Sequence, residues 1–184
     1  MQAIFRQAGR EMLMEVTAVD GPILRTEVSS GTEILLLRDY YRGLLPVAGT
    51  DGGRAFSFDF DTRKLDALFP LAVDNTVSFS GKLNIEGADE AVEVVVQASV
   101  KGEKTFKLAN DTFQVMVVEI EQIYRGAWGV RTRTDTFYHA PALSMNLKAV
   151  TRDNQYQTYW YVTDIRRNGQ ILPTTPRRPG SVMI

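Results

Sequence analysis

Apolar residues fall at every second position along much of this chain, in segments separated by turn signals. In residues 92–100, V-E-V-V-V-Q-A-S-V, the side chains of Val92, Val94, Val96, Ala98 and Val100 share one face, while Glu93, Gln97 and Ser99 lie on the other beside Val95. A period of two predicts a half-buried strand, because successive side chains of an extended chain point to opposite faces. Residues 113–124, F-Q-V-M-V-V-E-I-E-Q-I-Y, are apolar on both faces over 115–118 and then set Glu119 and Glu121 on one side. This predicts a long central strand emerging toward solvent, with Phe113 at its start in the core.

After the turn Arg125-Gly126-Ala127-Trp128-Gly129, the stretch V-R-T-R-T-D-T-F-Y alternates Thr132, Thr134 and Thr136 against Arg131, Arg133 and Asp135. A hairpin follows, and it would place Glu119 and Glu121 opposite Arg131 and Arg133 if the turn length sets that register. Two more strands, 143–152 and 156–166, complete a meander around Asp153-Asn154. Further turn signals stand at Asp20-Gly21-Pro22, Ser30-Gly31, Asp51-Gly52-Gly53, Asp74-Asn75, Glu86-Gly87, Lys101-Gly102, Asn110-Asp111 and Asn168-Gly169. Short segments between frequent turns predict antiparallel all-β structure.

Helix is confined to D-T-R-K-L-D-A-L-F-P, residues 61–70. Asp61 supplies the cap, Leu65, Leu68 and Phe69 fall at i, i+3 and i+4, and Pro70 stops the turn. The residues up to about 14 fit a helix or a first strand. V-A-G-T-D-G-G-R, residues 47–54, reads as a long loop, and residues 171–184 read as an extended proline-rich tail. Closing or doubling the sheet would bury the apolar faces. The expected architecture is therefore one domain over residues 1–170, an antiparallel β-sandwich or strongly curved half-barrel with one or two short helices.

Composition narrows the function classes. Lys plus Arg number 21 and Asp plus Glu 22, so no net field draws the chain toward phosphate backbones, and no nucleic-acid partner is expected. The absence of cysteine excludes a disulfide framework, a thiolate nucleophile and a zinc ribbon. No apolar run reaches the eighteen or so residues of a membrane span. The opening M-Q-A-I-F-R-Q-A-G-R-E is unlike a signal peptide, which predicts a cytoplasmic location unless a leader was removed.

The one histidine, His139, stands in T-F-Y-H-A-P-A-L-S. A histidine base needs a nucleophile in reach and a carboxylate to orient it. Ser144 and Asp135 are available, but no nucleophile motif surrounds a serine, so His139 reads as a turn residue at a strand end and no catalytic residue is assigned. Asp59 and Asp61 share a strand face, yet they fit no calcium-loop pattern, and a strand end with one of them capping a helix accounts for both. Neither a metal nor a cofactor is expected. The features that stand out are aromatic residues beside arginines: Tyr40, Tyr41 and Arg42, and then Tyr124, Arg125 and Trp128, with Tyr159-Trp160-Tyr161 as a third group. If they converge on one surface they can stack on sugar rings or peptide side chains. Trp128, at a hairpin tip, either contacts a ligand or folds back to plug one end of the fold.

Three stretches, L-D-A-L-F-P-L-A-V-D-N-T-V-S-F-S-G, A-N-D-T-F-Q-V-M-V-V-E and T-F-Y-H-A-P-A-L-S-M-N-L-K, resemble in that order a group of uncharacterised β-rich bacterial envelope proteins, many exported or lipid-anchored. In that group an L-F-P-L segment leads into a strand, a G-T-F-type turn and strand follows, and an aromatic-Ala-Pro segment comes later. The likeness spans roughly residues 54–165. It implies a periplasmic or cell-envelope location and carries no catalytic residues. The function expected is that of a noncatalytic envelope protein binding a partner, a glycan or a lipidic ligand. The alternatives are a carboxylate-dependent hydrolase and a structural accessory domain of an assembly.

Overall fold

Each strand hydrogen-bonds to the one that follows it in the chain, and the first also pairs with the twelfth, so the computed structural model is a closed antiparallel barrel of twelve strands. The structure describes residues 1–171 except 52, 110, 155, 168 and 169. The strands are β1 (Gln2–Gln7), β2 (Arg10–Asp20), β3 (Ile23–Ser30), β4 (Glu33–Tyr41), β5 (Leu45–Asp51) and β6 (Arg54–Phe60). A five-residue helix, α1 (Thr62–Asp66), then precedes β7 (Thr76–Ile85), β8 (Val92–Leu108) and β9 (Asp111–Gly126). The wall is completed by β10 (Gly129–Ala140), a 3₁₀ turn at Pro141–Leu143, β11 (Met145–Asp153) and β12 (Gln157–Arg167), to which the short β13 (Gln170–Ile171) adds. Closure runs from Gln2 opposite Arg166 to Gln7 opposite Trp160.

The all-β antiparallel reading therefore holds, whereas the sandwich or half-barrel gives way to a closed wall. Alternating segments hide their apolar faces equally well in either arrangement, but joining the first strand to the twelfth also satisfies edge hydrogen bonds that an open sheet leaves exposed. The stretch read as a long loop is not one: residues 47–51 lie in β5 and Arg54 opens β6, which pairs with it. The opening residues form two strands rather than a helix. Lys101-Gly102 is no turn either: the register between β8 and β9 shifts there and the strands continue past it. Residues 172–184 of the proline-rich tail lie outside the described residues, while Ile171 belongs to β13.

Asp61 caps α1 as expected, accepting from the Arg63 backbone N–H at 3.1 Å. Leu65 and Leu68 are fully buried against Tyr41, Leu44, Leu45 and the inward faces of β7 and β8. Val94, Val96, Ala98 and Val100 supply that inward face on β8, with Ile120 and Val118 beside them on β9 and Phe137 on β10. A second cluster joins Ala3, Phe5, Val28, Leu108, Val115, Leu147, Val162 and Ile165. Phe113 is half-buried at the edge of this cluster, opposite Phe106 in the β8–β9 extension, and is not the core residue its apolar neighbours suggest.

Candidate functional site

Gly129 pairs with Gly126, so Ala127 and Trp128 alone make the β9–β10 turn and the register is fixed. Arg131 then stands opposite Tyr124, Arg133 opposite Gln122 and Asp135 opposite Ile120. Ile120 faces the core, and cross-strand partners share a face, so the charged row of β10 points into the barrel. Glu119 and Glu121 lie opposite Thr136 and Thr134 on the outer face. The expected pairing of these glutamates with Arg131 and Arg133 does not occur, because the two sets occupy opposite sides of the wall. Glu119 instead meets Lys101 at 3.2 Å.

The inward arginines find carboxylates on the inner face. Arg133 donates from Nε to Asp135 Oδ2 at 2.8 Å and from Nη2 to Oδ1 at 3.0 Å, and the Thr151 hydroxyl donates to the same carboxylate. Arg131 donates from Nε to Asp153 Oδ1 at 3.0 Å and from Nη2 to Oδ2. Hydrogen bonding to Arg131 holds the Asp153 carboxyl below the ordinary carboxylate range. The Tyr124 hydroxyl donates to Gln122 Oε1, and burial pushes its pKa up.

These groups line a cleft of about 430 Å³ that also takes in Arg54, Phe56 and Phe58. Arg38, Pro46, Arg133 and Asp135 border both this cleft and an adjoining cavity of about 80 Å³, which reaches Tyr40 and Trp160. Trp128 borders the cleft, 60% exposed. Its indole lies across Gly126, where a Cβ would come 2.8 Å from Trp128 Nε1, so this position admits only glycine in the present arrangement.

Of the six residues singled out from the sequence, Tyr124 and Trp128 line the cleft and Tyr40 the adjoining cavity. Arg125 is exposed, opposite Glu93 and Val130. Tyr41 is buried beside α1, and Arg42 bonds Asp66 at 2.7 Å with its guanidinium 5.0 Å from the Phe69 ring centre. The two aromatic groups therefore do not form one surface. Tyr159 and Tyr161 stack on each other at 6.4 Å, whereas Trp160 packs edge-on against Phe5 at 5.4 Å. Arg54, Arg131, Arg133, Asp135 and Asp153 are the residues sequence reasoning missed. The signal was present in R-T-R-T-D, which puts three charges on one strand face, but a charged face ordinarily marks the solvent side.

His139 is buried and its Nδ1 lies 2.9 Å from Asn146 Oδ1, an acceptor, which assigns the ring proton to Nδ1. Asn146 in turn donates to the Gly43 carbonyl at 3.0 Å. Burial pushes the imidazole pKa below its ordinary value. Rather than a turn residue, it is a tie between β10, β11 and the β4–β5 turn, near the end of β10 remote from the Trp128 turn. Among the described residues no group of three or more His, Cys, Asp or Glu is placed to hold a metal ion, and no helix is long and apolar enough to cross a membrane.

No protein-family model matches this chain, and no curated protein does. Among solved structures, it is similar to the hypothetical lipoprotein YmcC from Escherichia coli K12, with 8% identity and a TM-score of 0.59 over 88% of this chain and 85% of that one. It also aligns with a chain from Parabacteroides distasonis described as a lipoprotein, at 10% identity and a TM-score of 0.47 over 92% and 94% of the two chains. A Bacteroides fragilis chain described as exported and YmcC-like in fold gives 10% identity and a TM-score of 0.40 over 94% and 95%. At this identity the likeness to YmcC establishes the fold.

Proposed function

We propose that this chain is a noncatalytic binding protein of the bacterial cell envelope, and that the mouth of its lumen takes a glycan. The observation that carries the reading is the charge inside the wall. Replacing a buried ion pair by packed apolar side chains is often neutral or stabilising, so folding gives no reason to set the Arg133–Asp135 pair, its carboxylate 5% exposed, against a cleft of about 430 Å³, where the more exposed Arg131–Asp153 pair joins it. Aromatic rings beside rigidly held polar groups are the combination that grips a sugar, with ring faces against its C–H surface and planar groups for its hydroxyls.

A lipid tail fits less well. Past the Arg133–Asp135 pair this cleft leads only into the cavity of about 80 Å³, room for a few waters and not an acyl chain, and the wider groove of about 1200 Å³ beside Phe69 and Leu143 lies beyond it. Hydrolysis by carboxylates is also disfavoured, since both lumen aspartates are engaged by arginines and the histidine is bonded to an amide near the end of β10 remote from the Trp128 turn. The envelope location rests on the fold shared with a hypothetical lipoprotein and on the motif resemblance.

A glycan array of bacterial surface saccharides, probed with the parent and with Trp128→Ala, tests the reading. Selective retention of one glycan class, lost on Trp128→Ala with an unchanged melt, is the expected result. Retention of no glycan by the parent overturns it.

A further inference from the structure

We infer that the glycan is acidic, a saccharide whose carboxylate is held by the arginines of the cleft. The inference rests on the reading that the lumen mouth binds a glycan, and it follows from counting donors and acceptors. A guanidinium carries five N–H donors. Arg131 and Arg133 each turn the Nε and Nη2 edge toward an aspartate, so after those bonds about three N–H groups remain on each residue. Arg54 borders the same cleft from β6, and its guanidinium makes no hydrogen bond or ion pair among the described residues.

The acceptors are already in use. Asp135 takes both Arg133 donors and the Thr151 hydroxyl, and Asp153 takes both Arg131 donors and the Asn154 backbone N–H at 2.7 Å. Gln122 Oε1 receives the Tyr124 hydroxyl. The cleft thus offers a surplus of charged donors beside aromatic surface. A neutral sugar brings hydroxyls that donate as readily as they accept. An ionised carboxylate only accepts, and its two oxygens match the fork of a guanidinium. The aspartates hold Arg131 and Arg133 in place beforehand, which reduces the side-chain freedom lost when the ligand arrives. A volume of about 430 Å³ suits a ligand of about one or two sugar rings.

The test is calorimetric titration of the parent and of Arg54→Gln with short oligosaccharides containing glucuronate, galacturonate or sialate. Carboxyl-reduced counterparts of the same oligosaccharides and a sugar phosphate serve as controls. Arg54 is exposed, so the variant should melt with the parent. The expected result is binding of an acidic oligosaccharide that weakens at least tenfold on carboxyl reduction, weakens about tenfold in Arg54→Gln, and declines with added salt. Equal binding of the reduced form would overturn the acidic class while leaving the glycan reading intact. Tighter binding of the sugar phosphate would overturn the carboxylate. Binding of no saccharide at all would overturn both.

Discussion

Asp135→Asn removes a charge and almost no volume, which isolates the contribution of the lumen ion pair. The Asp135 side chain is 5% exposed and that of Arg133 36%. Without the carboxylate, Arg133 keeps a charge that water only partly reaches. Removing one partner of a fully buried pair costs about 3–5 kcal/mol, and the access water has to Arg133 brings the expectation down to about 2–3 kcal/mol. Arg133→Met should cost about 3 kcal/mol, because it strands the more deeply buried partner. The double variant leaves neither charge and should cost about 2 kcal/mol rather than the additive sum of about 5, a coupling of about 3 kcal/mol. Urea denaturation at neutral pH, followed by tryptophan fluorescence, measures all three, since Trp160 lines the cavity that Arg133 and Asp135 border. Additivity within about 0.5 kcal/mol would refute the argument that the lumen holds a buried charge pair, and with it the main support for a ligand site.

Stability should fall on acidification in two stages that begin at different pH. His139 has a native pKa below its unfolded value of about 6.5, so the unfolded chain binds more protons below that pH and stability declines from there down to the native pKa; His139→Gln should flatten this first slope. Asp153, held low by Arg131, contributes stability that is complete above about pH 4 and lost as the pH drops through its native value, so the second decline starts below about 4; urea midpoints from pH 3 to 8 separate the two. Gly126→Ala should change stability by less than about 1 kcal/mol, because Trp128 is exposed and can swing aside, yet it should shift indole emission in a Trp160→Phe background. Phe113→Ala should cost about 1–2 kcal/mol rather than the 3–5 kcal/mol typical of a core phenylalanine, and a melt read against Leu147→Ala would reveal which.

What the sequence determined by itself was local. Alternation in V-E-V-V-V-Q-A-S-V specified a strand and its buried side, since a period of two requires no partner to be recognised. Asp61 with Leu65 and Leu68 specified a short capped helix for the same reason. Residues 47–54 were illegible because Gly49 looks like a loop glycine. In the structure it lies in a strand, where a Cβ would come 2.1 Å from the Leu37 carbonyl oxygen, and that crowding belongs to a neighbouring strand. The lumen site was illegible on the same grounds. R-T-R-T-D showed that Arg131, Arg133 and Asp135 share a face, but only the two-residue turn and the apolar partners on β9 decided that this face points inward. Arg54 joins them from another hairpin, and Arg38 and Pro46 reach the same cleft from β4 and β5. A strand's own residues determine which side chains share a face. Which face looks inward, and what it encloses, depends on pairing between strands far apart in the chain, and that pairing is a property of the closed wall.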